Sequence, residues 1–346
     1  MALADVLLIA SSRFVEHETP PGHPERPARA EAMTRAADRW RSQGGTIAEP
    51  EAVADQALAR VHAADYLGSI AATSGRSVRL DPDTYTSPES ETIARLAAGA
   101  TIAAVDHALD RNAPGLAFVR PPGHHAERAR AMGFCLYNNA AVAAAHARSR
   151  GAARVAVIDY DVHHGNGTQW IFYDDPSVLY VSTHQYPFYP GTGAADDVGR
   201  GDGAGATLNI PLAAGATDAD QDLVFRDVVL PVLGAFGPNL LILSAGFDAH
   251  AADPLGGMRL TVDGFRTLNR RLRGFAAAHC DGRFAVVTEG GYDLDALEAC
   301  LDMTLETCAE ETPASVPPAA GPTGTAGAVL ASVKQAQAAY WPSLGW

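Results

Sequence analysis

Lysine is nearly absent from this 346-residue sequence: Lys334 is the only one, and arginine supplies every other permanently basic side chain. A total of 26 Lys and Arg against 40 Asp and Glu gives a formal net charge of −14 at pH 7. Phosphate backbones are gripped by clustered Lys and Arg, so this balance argues against a nucleic-acid-binding protein and mildly favours cationic ligands. Cysteine is sparse as well, and Cys135, Cys280, Cys300 and Cys308 form no CxxC pair. Neither a thiolate metal site nor a disulfide framework is indicated, and buried reduced thiols are expected. Long apolar runs are also missing. The first run, Val6–Ala10, lacks a basic flank and suits a β-strand better than a leader peptide. Nothing approaches the roughly 20 apolar residues of a membrane span. A cytoplasmic protein without membrane or nucleic-acid partners is expected.

Against these absences stand a 47% hydrophobic content and a regular alternation of short apolar blocks with Ala-rich stretches. Leu116–Val119, Val155–Ile158, Val178–Ser182, Leu240–Ser244 and Phe284–Thr288 lack polar alternation, as strands covered on both faces do. Helices are expected at about 91–110, 139–149, 218–234, 262–279 and 294–309. This order predicts an α/β fold with a mostly parallel sheet and helices on both sides. One domain over 1–346 is expected: a core of about 1–310, a Pro/Gly-rich connection over 312–327 and a last helix over about 328–340.

Chemically dense residues follow the strands at once. Arg120-Pro-Pro-Gly-His-His125 follows the first, Asp159-Tyr-Asp-Val-His-His-Gly-Asn166 the second and Thr183-His-Gln-Tyr186 the third. Ala245-Gly-Phe-Asp-Ala-His250 follows the fourth and Glu289-Gly-Gly-Tyr292 the fifth. Ligand crevices of open parallel sheets lie beyond the carboxyl ends of the strands, so five segments converge on one site. Asp159, Asp161 and His163 share parity, so in extended backbone all three face one way, and two of them can bind one ion. Asp248, from another strand, can add a third ligand. Two carboxylates and an imidazole leave positions open for water and substrate, as catalytic sites do. Such oxygen-rich ligands suit Zn²⁺, Fe²⁺ or Mn²⁺.

Arg120-Pro-Pro-Gly-His-His-Ala126, Gly133-Phe-Cys135, Asp159-x-Asp-Val-His-His-Gly-Asn-Gly-Thr-Gln169, Ser244-Ala-Gly-Phe-Asp248 and Glu289-Gly-Gly-Tyr292 resemble the signature blocks of zinc-dependent histone deacetylases. The likeness is strongest to the class II branch and its bacterial relatives, the histone deacetylase-like and acetylpolyamine amidohydrolases, and spans about residues 11–310. It implies an arginase-like three-layer α/β fold and one Zn²⁺ per chain, with Fe²⁺ as an alternative, held by Asp161, His163 and Asp248. Asp159 is implied behind His124, and Asn166 behind His125 where other branches carry Asp. A structural potassium ion is implied at Asp159, Asp161, His163, Ser182 and Thr183.

The same resemblance makes His125 the principal acid/base, His124 its electrostatic partner and Tyr292 the hydrogen-bond donor to the developing oxyanion. Phe134 and Tyr189 are implied as tunnel walls, the latter replacing a more usual Phe, and the Gly133 carbonyl as an acceptor for the acetamide nitrogen. Asp83 is expected at the rim, as a substrate hold or equally a turn-stabilising residue, and the loop 17–26 as another wall. Leu255 occupies the point where polyamine-selective relatives carry an acidic gatekeeper. Acetyl-lysine peptides are thus expected ahead of small acetylated amines such as acetylpolyamines, and a homo-oligomer stays open. The rivals are a binuclear manganese ureohydrolase, which needs a carboxylate where this chain has His250, and a non-catalytic acetyl-lysine sensor.

Overall fold

A computed structural model describes residues 5–310, 316–317, 321 and 324–346. The strands are β1 (Leu7–Ile9), β2 (Thr46–Ala48), β3 (Val78–Arg79), β4 (Tyr85–Thr86), β5 (Gly115–Ala117), β6 (Val155–Asp159), β7 (Val178–Gln185), β8 (Thr207–Leu212), β9 (Leu240–Ala245) and β10 (Phe284–Thr288). Eight form one sheet in the order β2-β1-β5-β10-β9-β6-β7-β8, and β3 and β4 make a separate antiparallel hairpin. Every pairing in the large sheet is parallel, so the mostly parallel sheet expected is wholly parallel here.

The unbroken apolar character of the central strands has a direct structural meaning. Ala156, Ile158, Leu241 and Leu243 pack into one core together with Met33, Trp40, Phe265, Leu272, Leu297 and Leu301. Their neighbours Val155, Val157, Leu240 and Ile242 pack into a second core with Ile93, Ala97, Ala104 and the Ala140–Ala147 run. Alternate side chains thus meet a helix layer on each face, giving three layers. The first layer is built on helices Pro27–Ser42, Val262–His279 and Leu294–Ala309, the second on Ser90–Arg111 and Asn139–Ser149.

Several boundaries differ from the sequence expectation. The strand expected at Leu116–Val119 is Gly115–Ala117: the Phe118 amide still donates to the Ile9 carbonyl at 3.0 Å, but Val119 bonds the Thr288 hydroxyl in place of a backbone partner. The helix expected over 218–234 is Asp218–Val224 and Leu230–Phe236 joined through a wider π-turn over Phe225–Val229. The last helix is Gly324–Gln337 rather than 328–340, since the Gly-Thr-Ala-Gly-Ala stretch joins the helix and the chain turns off after Gln337. The connection expected over 312–327 falls largely outside the described residues. Among the described residues, no helix is long and apolar enough to cross a membrane.

The carboxyl ends of β5, β10, β9, β6 and β7, five consecutive strands, carry the five dense segments. A buried ionic cluster lies beneath them. Glu25 Oε1 accepts from Arg120 Nε at 2.5 Å and from Arg29 Nη1 at 3.2 Å, and Arg120 Nη1 also donates to the Phe14 carbonyl at 2.9 Å. Burial opposes the ionisation of Glu25, but Arg120, followed by His17 and Arg29, holds its carboxyl well below the usual 4.5.

Removing one partner strands buried guanidinium groups, so Glu25→Gln should lower stability at pH 7 by about 3–5 kcal/mol. The depressed folded-state value makes this contribution fully present above the unfolded value of 4.5 and progressively lost as pH falls below it. Urea unfolding of wild type and variant should therefore differ most at pH 7 and converge in acid. A constant difference from pH 7 to pH 3 would contradict the assignment.

Candidate active site

β6 ends at Asp159, and beyond Tyr160 the chain bends through Asp161, Val162 and His163 rather than continuing extended, so the ligands are brought together by the bend and not by strand parity. Asp161 Oδ1 and Asp248 Oδ2 each lie 3.1 Å from His163 Nδ1. The ligand atoms of Asp161, His163 and Asp248, all buried, lie within 4.8 Å of one another, and among the described residues this is the His/Cys/Asp/Glu group that could hold a metal ion. Backbone amides fix both carboxylates. Gly290 N donates to Asp161 Oδ2 at 2.9 Å and Val162 N to Asp248 Oδ1 at 2.8 Å. This packing requires glycine at two positions: a Cβ on Gly246 would stand 2.0 Å from Asp161 Oδ2, and one on Gly290 2.1 Å from Asp248 Oδ2.

Burial, reinforced by the Asp161 charge, pushes the Asp248 carboxyl up to about 7. Burial works against the charge on His163, yet hydrogen bonds to Asp161 and Asp248 hold its imidazole up at about 10. The three side chains therefore form a site short of positive charge, with two hard oxygen donors and one nitrogen converging. That donor set fits a single divalent cation.

Two imidazoles stand beside this group, with ring centroids 4.1 Å apart. His124 Nδ1 lies 3.0 Å from Asp159 Oδ2, which also accepts from the Tyr180 hydroxyl at 3.1 Å. His125 Nδ1 lies 2.8 Å from Asn166 Oδ1. The two differ in electrostatics. Burial disfavours charge on both, but Asp161 and Asp159 raise His124 well above the usual value, while the charges of His124 and His163 depress His125 further. Asn166 serves two neighbours at once: its oxygen faces His125 and its Nδ2 donates to Glu127 Oε1 at 2.8 Å. A carboxylate here would face Glu127 with like charge.

Tyr292 is buried and its ring meets Phe134 edge-on at 5.8 Å. Tyr189, 37% exposed, packs edge-on against His125 at 5.1 Å. Phe134 thus contacts the Tyr292 ring and Tyr189 the His125 ring. Phe134 is held at φ 70° after Gly133 at φ 56°, and its amide donates to Thr84 Oγ1 at 3.1 Å. The Gly133 carbonyl accepts from Cys135 Sγ at 3.2 Å. Asp83 lies in the connection between β3 and β4, half-buried, with its carbonyl 2.9 Å from His23 Nε2. His23, from the loop 17–26, meets Phe134 at 4.8 Å. Leu255 is half-buried, and its amide donates to Asp253 Oδ1 at 2.9 Å. Ser182 Oγ is 2.9 Å from His184 Nδ1, whereas the buried Thr183 hydroxyl has no hydrogen-bond partner among the described residues.

Four neighbours of the site were not assigned from the sequence. Phe188 stacks on His163 at 5.3 Å, and its signal was the aromatic run Tyr186–Tyr189. Glu289 binds the Gly123 amide at 2.6 Å, the His124 amide at 3.1 Å and Ser244 Oγ at 2.8 Å, with burial raising its carboxyl to about 7. It stands in a quoted motif, but its partners are not legible there. Arg29 donates to the carbonyls of Gly291 (2.7 Å) and Glu289 (2.5 Å), and its guanidinium lies 4.9 Å over the Tyr292 ring. Glu127 gives no sequence signal at all.

The chain matches the histone deacetylase domain over residues 23–308. It is 40% identical over 349 residues to histone deacetylase 15 of Arabidopsis thaliana, covering 98% of this chain and 62% of that protein. It is 37% identical over 295 residues to a probable deacetylase of Archaeoglobus fulgidus, covering 83% and 81%. The human polyamine deacetylase HDAC10 is 40% identical over 340 residues, covering 91% of this chain and 50% of that protein. The chain therefore spans less than two thirds of the Arabidopsis relative and half of the human one. A crystal structure of the HDA15 HD domain superposes with a TM-score of 0.92 at 36% identity, covering 99% of this chain and 97% of that one.

The amide oxygen of Asn166 orients His125 without stabilising its protonated form as an anion would. Asn166→Asp should raise the His125 imidazole pKa by about 1 unit or more, so that the cation persists to higher pH. NMR titration of the His125 ring carbon checks this, and an unchanged titration would rule out Asn166 as a control on its basicity.

Proposed function

The chain belongs to the histone deacetylase family, and on that footing we propose that it hydrolyses N-acetyl amides, releasing acetate and the free amine, with acetyl-lysine side chains as the first substrate class. One observation carries the reading: Asp161, His163 and Asp248 converge within 4.8 Å beside the His124–His125 pair, with Tyr189 edge-on to His125 and Phe134 edge-on to Tyr292. Asp161, His163 and Asp248 are proposed to hold one divalent ion, zinc first and iron(II) second. A divalent ion bound there supplies Lewis acidity and makes water a better nucleophile near neutral pH.

The protein groups carry the proton traffic. With Asn166 Oδ1 accepting from Nδ1–H, His125 keeps its Nε2 lone pair free to take the proton of the attacking water. His124, held by Asp159 in the form that favours positive charge, stabilises the negative charge that builds on the reacting centre. The Tyr292 hydroxyl donates to the former carbonyl oxygen as it becomes an oxyanion. His125 then returns the proton to the amide nitrogen, and the carbon–nitrogen bond breaks to give acetate and amine. Phe134 and Tyr189 are proposed to enclose the aliphatic stem, with the Gly133 carbonyl as acceptor for the amide N–H and Asp83 at the rim. A potassium ion is proposed near Asp159, Asp161, His163, Ser182 and Thr183, supported by the buried Thr183 hydroxyl that has no hydrogen-bond partner among the described residues.

An acetylpolyamine is the second reading, favoured by the 40% identity to a protein named polyamine deacetylase and by the net charge of −14. Against it stands Leu255, an apolar side chain that cannot pair with a distal ammonium group.

Acetate release from an acetyl-lysine peptide, acetylputrescine and acetylspermidine separates the readings. Turnover of the peptide is expected to be the faster. Release from the polyamines alone would overturn the substrate preference. Tyr292→Phe should lower kcat by about 10²-fold or more, the range of a lost oxyanion donor; an undiminished rate would remove Tyr292 from the chemistry.

A further inference from the structure

We propose that Asp253 is a positioning residue for Tyr292, binding the turn that carries this tyrosine to the loop that carries Leu255. The inference rests on the deacetylase reading for its consequence but on geometry for its substance. Asp253 is only 7% exposed. Its Oδ2 accepts from the amides of Tyr292 at 2.6 Å and Asp293 at 3.1 Å, and its Oδ1 accepts from the Leu255 amide at 2.9 Å. One carboxylate thus ends three backbone N–H groups from two separate loops.

The opposite side of the same turn is held by a cation. Arg29 donates to the carbonyls of Glu289 and Gly291, so residues 289–293 are gripped through their carbonyls by a guanidinium and through their amides by a carboxylate. Hydrogen bonds to ionised groups are shorter and roughly twice as strong as neutral ones. The turn needs such a grip because it begins with Gly290 and Gly291, the latter at φ 122°, and neither has a side chain to pack. The Tyr292 hydroxyl sits at the end of a stiff ring with two torsions, so its location follows from the backbone beneath it. Asp293 also begins helix Leu294–Ala309, its side chain accepting from Ala296 N, and a carboxylate at that helix start is further favoured by the helix dipole.

A second consequence follows from the shared carboxylate. Leu255 lies in the loop where substrate choice is proposed, and its amide hangs on the group that fixes Tyr292.

The test uses the metal-loaded full chain as wild type, Asp253→Asn, Tyr292→Phe and the double variant, with metal content measured for each. An amide keeps the shape but has a single oxygen acceptor, so the three N–H groups cannot all be served. Asp253→Asn is expected to lower kcat by about 10–10²-fold with KM changed by less than about 3-fold, as for a misplaced catalytic group. On the Tyr292→Phe background the further loss should be less than about 3-fold, because the group being positioned is gone. If Asp253→Asn does not fold, Asp253→Glu, which keeps the charge and changes the reach, is compared in both backgrounds in the same way. An equal fold-loss in both backgrounds, or an unchanged kcat, overturns the proposal. A readout independent of turnover uses 3-fluorotyrosine-labelled protein, in which the Tyr292 ¹⁹F line, assigned by its absence in Tyr292→Phe, should shift or split in Asp253→Asn. If wild type releases acetate from no acetyl amine, the functional reading fails while the ¹⁹F line still decides the clamp, an unmoved line overturning it.

Discussion

Negative charge packed into the buried end of the sheet is the constraint on which the rest of this structure depends. Asp159, Asp161, Asp248 and Glu289 are all fully buried at the ends of adjacent strands, with His124, His125 and His163 among them. A buried carboxylate is costly unless hydrogen-bonded and paired. Here the backbone answers part of that cost: the amides of Gly290, Val162, His163, Gly123 and His124 all point at these carboxylates. Such amides are available because parallel strands end together and the chain turns across their carboxyl ends. The remaining charge is balanced by imidazoles, and the raised values of His163 and Asp248 mark a site that a divalent cation would complete.

The same economy explains the ring of supports around it. Glycine stands at 246 and 290 because a carboxylate occupies the space of a side chain. Asn166 is an amide because one neighbour needs an acceptor and the other, Glu127, needs a donor. Arg29 joins two devices, binding Glu25 at one nitrogen and the Tyr292 turn at others. The buried ionic cluster is in this way continuous with the functional end of the sheet.

Much of the site could be read from the sequence because its residues cluster directly after apolar blocks, and strand order brings the blocks side by side. Asp161 with His163 and His124 with His125 are local pairs, so spacing alone suggests them. What stayed hidden depends on distant partners. Arg29 looks like a surface arginine of an Ala-rich segment until the carbonyls of residues 289 and 291 arrive. Helix Pro27–Ser42 and β8 were not anticipated: the helix is dense in arginine and acid, and β8 carries Asn209 and Pro211, both poor strand signals. Glu289 stands in the Glu-Gly-Gly-Tyr motif, yet its grip on the His124 amide needs the register of β10 against its neighbours. A binuclear ureohydrolase requires a carboxylate two residues past Asp248, where this chain has His250, whose Nδ1 accepts from the Ala252 amide at 3.2 Å.

A single divalent ion held by Asp161, His163 and Asp248 is the centre of the proposed chemistry, and titration of metal-stripped protein tests it most directly. Acetate release from the preferred acetyl amine, followed as Zn²⁺ is added to stripped protein, should rise linearly and level off at one equivalent per chain, with Asp248→Ala showing neither tight binding nor recovery. Full turnover after exhaustive stripping, or a break at two equivalents, would contradict it.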